Sequence, residues 1–187
     1  MKLQETSLPG VMLIEPKVYS DHRGFFMESY NFEQFAEHGV NTSFMQDNHS
    51  LSKDVHVLRG LHYQLHPKAQ CKLVRVTAGE IMDVVLDMRR GSPTYGQWAS
   101  FVLSADNKLQ LYVPAGFAHG FCTLVPNTQV QYKVDAPYSP QHDRGIRWDD
   151  PALSIPWPTS SPILSEKDKH HPTLAEAELN FDYGEGE

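Results

Sequence analysis

The sequence predicts an all-β protein: a double-sheet sandwich of the jelly-roll kind with a few short helices. Three observations carry this. Short runs rich in Val, Ile, Leu and aromatic residues recur along most of the 187 residues. Pro, Gly, Asn and Asp part these runs at regular intervals, as in strands joined by turns. Only one segment in the first half has the caps of a helix. Many short strands with turn signals between them are the pattern of sandwiches, barrels and jelly rolls.

The early strands are expected over residues 12–19, 25–30, 44–48 and 57–64. Two β-branched runs follow, 72–78 and 81–88, parted by Ala78-Gly79-Glu80, and they read as a hairpin. Further strands are expected over 95–103, 109–113, 117–125 and 129–134. One helix is expected near the start, between the runs 25–30 and 44–48. Asn31 caps it, Gln34 stands three residues later, and Gly39 ends it. From about residue 149 the chain is rich in Pro and Ser, including Pro156-Trp157-Pro158, so an irregular surface tail is expected, with a short helix near 173–179. No linker or repeat interrupts residues 1–187, and one domain of that length buries a sizeable core.

Charge narrows the partners. A net charge of -7 argues against nucleic acid or an anionic membrane, and leaves room for a small basic pocket for one phosphorylated ligand. Cys71 and Cys122 are too few for a disulfide framework and read as buried free thiols. No run approaches the ~20 apolar residues of a membrane span. The start lacks a basic segment leading into a long apolar one. A cytoplasmic protein is the expectation.

The informative residues are polar ones on faces that alternation assigns to the core. Lys72 shares a face with Val74 and Val76. It is either a strand-edge lysine reaching water or a buried one with a task. Tyr132 shares a face with Val130 and Val134, either as core with its hydroxyl satisfied or as a buried polar group with a task. Gln46 and Asn48 share another face, as a polar patch or as ligand contacts. Arg59-Gly-Leu-His62-Tyr-Gln64 joins an arginine, a glycine and an imidazole in one run. A second imidazole stands in Pro114-Ala-Gly116-Phe-Ala-His119.

That last run resembles the second half of the cupin signature, Pro-x-Gly-x-x-His, so the fold expected is a cupin-like β jelly roll. Metal-binding cupins carry His-x-His with a nearby Glu in the first half. Here that segment reads His62-Tyr63-Gln64, and the next Glu is Glu80. The ligand count points to no metal. His66 is followed by Pro67, which ends its strand, and His170-His171 reads as an exposed pair in the tail.

Taken together the motifs resemble the dTDP-4-dehydrorhamnose 3,5-epimerase family over nearly the whole chain. They are Glu15-Pro-Lys-Val-Tyr-Ser-Asp21-x-Arg23-Gly-Phe-Phe26-x-Glu28, Gln46-Asp-Asn48-His-Ser, Leu58-Arg-Gly-Leu-His62-Tyr-Gln and Lys72-Leu-Val-Arg. Val113-Pro-x-Gly-Phe-Ala-His119-Gly-Phe, Tyr132-Lys, Asp143-Arg-Gly-Ile, Trp148 and Leu164-Ser-x-Lys167-Asp168 complete the set. The resemblance implies a cofactor-free homodimer acting on dTDP-4-dehydro-6-deoxy-glucose in dTDP-L-rhamnose synthesis. It implies His62 as general base, oriented by Asp168, Tyr132 as general acid, and Lys72 beside the sugar's C4 oxygen. Arg23, Phe26, Glu28, Gln46, Asn48, Arg59, His119, Asp143 and Lys167 match nucleotide or substrate contacts, and Tyr138 matches an aromatic stacked on thymine. Arg23, Phe26 and Glu28 are expected to reach the neighbouring protomer's site.

These residue types suit the chemistry. A ketone at C4 acidifies the hydrogens on C3 and C5. Inversion needs a base on one face, a donor on the other, and a stabiliser for the enolate oxygen between. Imidazole titrates near working pH, and a carboxylate fixes its tautomer. Tyrosine delivers a proton without a resting charge. Lysine gives a fixed positive charge that counts for more in a dry pocket. Arginines that flank glycines suit a pyrophosphate.

Overall fold

The computed structural model describes residues 1–184. Its strands, in chain order, are β1 (Lys2–Glu5), β2 (Met12–Glu15), β3 (Val18–Asp21), β4 (Gly24–Met27), β5 (Gln46–Ser52), β6 (Leu58–Gln64) and β7 (Lys72–Ala78). They continue with β8 (Glu80–Asp87), β9 (Trp98–Ser104), β10 (Gln110–Val113), β11 (Phe117–Thr123), β12 (Thr128–Val134) and β13 (Asp143–Gly145). A helix, α1 (Phe32–Glu37), follows β4. The strands form a six-stranded sheet ordered β1-β2-β10-β7-β12-β5, a five-stranded sheet ordered β13-β6-β11-β8-β9, and a separate β3–β4 ribbon. The all-β sandwich expected from the sequence is the architecture found.

The two large sheets share one core. Val74, Val76, Leu111 and Val130 come from the six-stranded sheet, and Ile81, Val85, Leu103, Phe117 and Phe121 from the other. Each such burial contributes about 1.5–3 kcal/mol. Residues that β8 turns the other way, Val84 and Leu86, meet Leu61, Ala118 and the tail residues Leu153, Leu179 and Phe181. The tail thus covers the outside of the five-stranded sheet. A strand buried on both faces reads as a near-continuous apolar run, which is how 81–88 reads apart from Asp83 and Asp87.

The capped helix forms as expected. The Asn31 side chain accepts from the Gln34 backbone N–H at 3.3 Å, and Gly39 leaves the helix at φ 87°. Phe35 anchors α1 in a third cluster with Ile14, Val40, Leu73 and Tyr112.

Several expectations are corrected. The runs 72–78 and 81–88 are not a hairpin: β7 and β8 lie in different sheets. Gly79, at φ 79°, turns the chain from one sheet to the other. A Cβ there would lie 2.3 Å from Thr128 Oγ1, so the corner closes tightly on the start of β12. The run 12–19 is two strands, because Pro16 has no N–H for a ladder and stands between β2 and β3. The strand expected from 95 begins at Trp98, since Tyr95 and Gly96 are held in turns by bonds to Ser92 and Asp87. The helix expected near 173–179 is not formed. Its residues make single turns, and the Leu174 N–H is taken by Asp150 Oδ2 instead. The helical turn of the tail is a 3-10 turn at Asp168–His170. β1 and β13 were not expected from the sequence. Both are short, and β1 carries three exposed residues in four, so neither shows a period.

Candidate active site

Between the sheets, at one end of the core, lies a cavity of about 430 Å³. That suits one small ligand. His62, Lys72, His119, Tyr132, Lys167 and Asp168 all line it, with Arg59 and Ser50. Strands of opposite sheets supply them. His62 on β6 and His119 on β11 are registered as neighbours in the five-stranded sheet. Lys72 and Tyr132 come from β7 and β12 in the six-stranded sheet. The imidazoles and the phenol therefore face the cavity from opposite walls.

Burial follows the period-two alternation at each wall. Lys72 is 8% exposed, beside Val74 at 0% and Val76 at 5%. Its ammonium donates to the His62 carbonyl at 3.2 Å. Burial pushes its pKa down to about 8, against the pull of Asp83 and Asp143. Tyr132 pairs with Asn48 across the ladder, so the two share a face, and Asn48 Oδ1 accepts from Gln46 Nε2 at 2.8 Å. Burial raises the Tyr132 pKa and the Arg59 charge lowers it, the net being upward, so the phenol holds its proton at neutral pH.

His62 Nε2–H donates to Asp168 Oδ1 at 2.5 Å. Asp168 is 3% exposed, and Ser165 Oγ accepts from its backbone N–H at 3.2 Å. Burial alone would raise the Asp168 pKa. The contacts of His171, His62 and Ser165 outweigh it and hold the carboxyl well below the usual range. His62 is shifted the opposite way to an ordinary ion pair. Burial lowers its pKa more than Asp168 raises it, and Lys72 and Lys167 add to the lowering. A neutral imidazole oriented by a buried carboxylate is the resting state a general base needs.

The remaining expected residues divide into two groups. At the cavity mouth Lys167 pairs with Asp143, whose Oδ2 also accepts from the Tyr138 hydroxyl at 3.1 Å. Arg59 donates to Ser52 Oγ and the Leu51 carbonyl, both at 3.4 Å. Arg23, Phe26 and Glu28 are not brought to this cavity by their own chain. Arg23 is paired with Asp21 at 2.6 Å in the β3–β4 ribbon, Phe26 is 66% exposed, and Glu28 binds Gln34 at 2.7 Å.

Two residues were missed. His171, read as half of an exposed tail pair, is packed behind Asp168, with its side chain 9% exposed. His170 is the exposed member. Nothing in the tail's composition signalled this, because β13 brings the tail under His62. Asp83 is fully buried, and both its oxygens meet His119 Nε2, at 2.8 and 3.0 Å. Its signal was legible: a carboxylate within the apolar run 81–88 needs a buried partner. Cys122 is buried as expected, whereas Cys71 is only half-buried.

Metal ligation can be tested against this geometry. Gln64, at the position of a second cupin imidazole, spends its amide on the Lys68 and Pro137 carbonyls and the Ser139 N–H. His62, Asp168 and His171 place donor atoms within 4.8 Å of one another. Zinc bonds of about 2.0–2.1 Å would spread tetrahedral ligands roughly 3.3 Å apart, yet His62 and Asp168 are 2.5 Å apart.

Comparison with known proteins agrees with the motifs. A family model described as dTDP-4-dehydrorhamnose 3,5-epimerase matches residues 5–176. The chain is 50% identical over 184 residues to a dTDP-4-dehydrorhamnose 3,5-epimerase of Sinorhizobium fredii, covering 98% of this chain and 94% of the relative. A crystal structure of the Bacillus anthracis enzyme of that name, with TDP and PPi bound, is 54% identical with a TM-score of 0.91. It covers 92% of this chain and 98% of that one. A dTDP-6-deoxy-D-glucose-3,5-epimerase of Legionella pneumophila, in complex with dTDP-4-keto-L-rhamnose, is 42% identical with a TM-score of 0.93. It covers 97% and 98%. No helix among the described residues is long and apolar enough to cross a membrane.

Proposed function

The chain belongs to the dTDP-4-dehydrorhamnose 3,5-epimerase family, and from that premise we propose how its own residues carry out the family's isomerisation. The reaction is epimerisation at C3 and C5 of dTDP-4-dehydro-6-deoxy-glucose, by proton transfer beside the C4 ketone and with no metal or cofactor. His62 takes the proton. Asp168 holds the ring and stabilises the imidazolium that forms. Lys72 places positive charge at the oxygen where the enolate develops. Tyr132 returns a proton from the opposite wall. Arg59, Lys167, Gln46, Asn48, His119, Asp143 and Tyr138 bind the nucleotide and the sugar.

One observation carries the reading: the base pair and the phenol face one cavity from opposite sheets, and a buried ammonium lines the same cavity, 3.2 Å from the His62 carbonyl. Inversion needs that two-faced arrangement, and binding alone does not. The separate β3–β4 ribbon supports a homodimer in which Arg23, Phe26 and Glu28 complete the partner's site. The test is NMR of the keto-sugar nucleotide in deuterated water. Solvent deuterium is expected at C3 and C5 as the product accumulates, at a rate unchanged by prolonged chelation. His62→Ala is expected to slow this by roughly 10²–10⁴-fold. Loss of turnover on chelation, restored by zinc, manganese or iron, would overturn the metal-free mechanism.

A further inference from the structure

His171 lies outside the cavity and behind the Asp168 carboxylate. Its Nε2 is 3.3 Å from Asp168 Oδ1, the same oxygen that receives His62 at 2.5 Å. Nε2 is buried and has no aligned hydrogen-bond partner. The His171 ring meets the His62 ring edge to face, with centroids 5.6 Å apart and planes at 74°.

The strand beneath makes room for this ring. Gly145 of β13 is registered opposite His62. A Cβ on Gly145 would lie 2.4 Å from His171 Nε2, 2.5 Å from Cε1 and 2.6 Å from Cδ2. Any side chain there would displace the imidazole. The chain is also fixed just beyond the ring, where Arg147 N–H donates to the Pro172 carbonyl at 2.8 Å. So a glycine notch and a backbone clamp hold a buried imidazole against the carboxylate of the base.

We propose that His171 is a positioning residue for the base: its Nε2–H, 3.3 Å from Asp168 Oδ1 and without another partner, turns onto that oxygen when substrate binds and holds the carboxylate where His62 needs it. The inference rests on the reading of His62 and Asp168 as the base pair. The 3.3 Å separation is that of the open site, and contacts of this kind commonly tighten when substrate binds. His171 donating to Asp168 spreads the carboxylate's charge over two imidazoles. Asp168 then pulls less on the His62 proton, and the base stays neutral to lower pH. Asp168, Lys72 and Lys167 are the charged groups acting on His62, and His171 acts through the first of them.

The test uses His171→Phe, which keeps a ring in the Gly145 notch and against His62 but deletes the nitrogen. Outer partners of this kind cost about 10–100-fold in activity when removed. The expected result is a kcat lower by about that factor, with KM within about twofold of wild type. The acid limb of kcat/KM should move to higher pH, because Asp168 with one donor fewer raises the His62 pKa. The far-downfield proton resonance of the His62–Asp168 bond should shift. His171→Gln, which restores a donor near the Nε2 position, should recover most of the loss. It also serves if the Phe variant folds poorly. Wild-type kcat and an unmoved acid limb in folded His171→Phe would overturn the proposal. So would equal losses in the Phe and Gln variants, since packing alone would then explain them. If His62→Ala is also harmless, the base assignment itself has failed, and the two failures are told apart.

Discussion

At the scale of single residues, Lys72 shows how burial becomes chemistry. A lysine in water is charged far above neutral pH. Here burial between two sheets brings it down to about 8. The ammonium stabilises an enolate only while it is protonated, so kcat/KM should fall as pH rises through about 8. Tyr132, shifted upward from the ordinary tyrosine value, cannot account for a limb at that pH. Lys72→Arg keeps the charge to much higher pH, so in a pH–rate series the limb should vanish even if the maximum rate drops. An unchanged limb in that variant would assign it to another group. The phosphate contact behaves differently. Arg59 meets a charge present throughout the reaction, so Arg59→Ala should raise KM and leave kcat nearly intact, whereas Lys72→Ala should mainly lower kcat. Much of this was legible in the sequence, because Lys72 and Tyr132 each interrupt a period-two apolar face. Asp83 was equally legible and was overlooked. His171 was not, since its burial depends on where the folded sheets carry an irregular tail.

At the scale of elements, the error over β7 and β8 is instructive. Alternation correctly placed Lys72, Val74 and Val76 on one interior face. It cannot say which sheet the next strand joins. Ala78-Gly79-Glu80 looks like a hairpin turn, and instead it is the corner where the chain crosses from one sheet to the other. That crossing puts the lysine and the His119–Asp83 pair on facing walls, because β7 carries Lys72 and β8 carries Asp83. Gly79→Ala tests the corner. The added methyl would press on Thr128 at a positive φ. Overpacking of this kind costs about 1–3 kcal/mol, which for a chain of this size lowers Tm by roughly 2–12 °C. Thermal unfolding that matches wild type would show that the corner relaxes freely.

At the scale of the whole molecule, the cavity is built by two sheets, a tail and, in the proposed dimer, a second chain. The ribbon leaves Tyr19, Phe25 and Phe26 more than half exposed. Complementation tests the shared site. Arg23→Ala and His62→Asn subunits are each expected to be impaired alone. Mixed dimers would contain one intact site, joining His62 of one chain to Arg23 of the other, so mixing after subunit exchange should restore activity. No recovery in dimers shown to have exchanged, or full activity in a monomer, would contradict the shared site.

The central claim is that two opposed side chains share the inversion, His62 removing a proton on one face and Tyr132 returning one on the other. Tyr132→Phe keeps the ring and its packing while deleting the donor. NMR of dTDP-4-dehydro-6-deoxy-glucose with this variant in deuterated water separates the two steps. Deuterium exchange beside the ketone should continue, with His62 returning deuterium to the face it came from, and far less inverted product should form. A residue serving only the core would lose about 1 kcal/mol of stability with its hydrogen bond and epimerise C3 and C5 at wild-type rates, and that result would contradict the account.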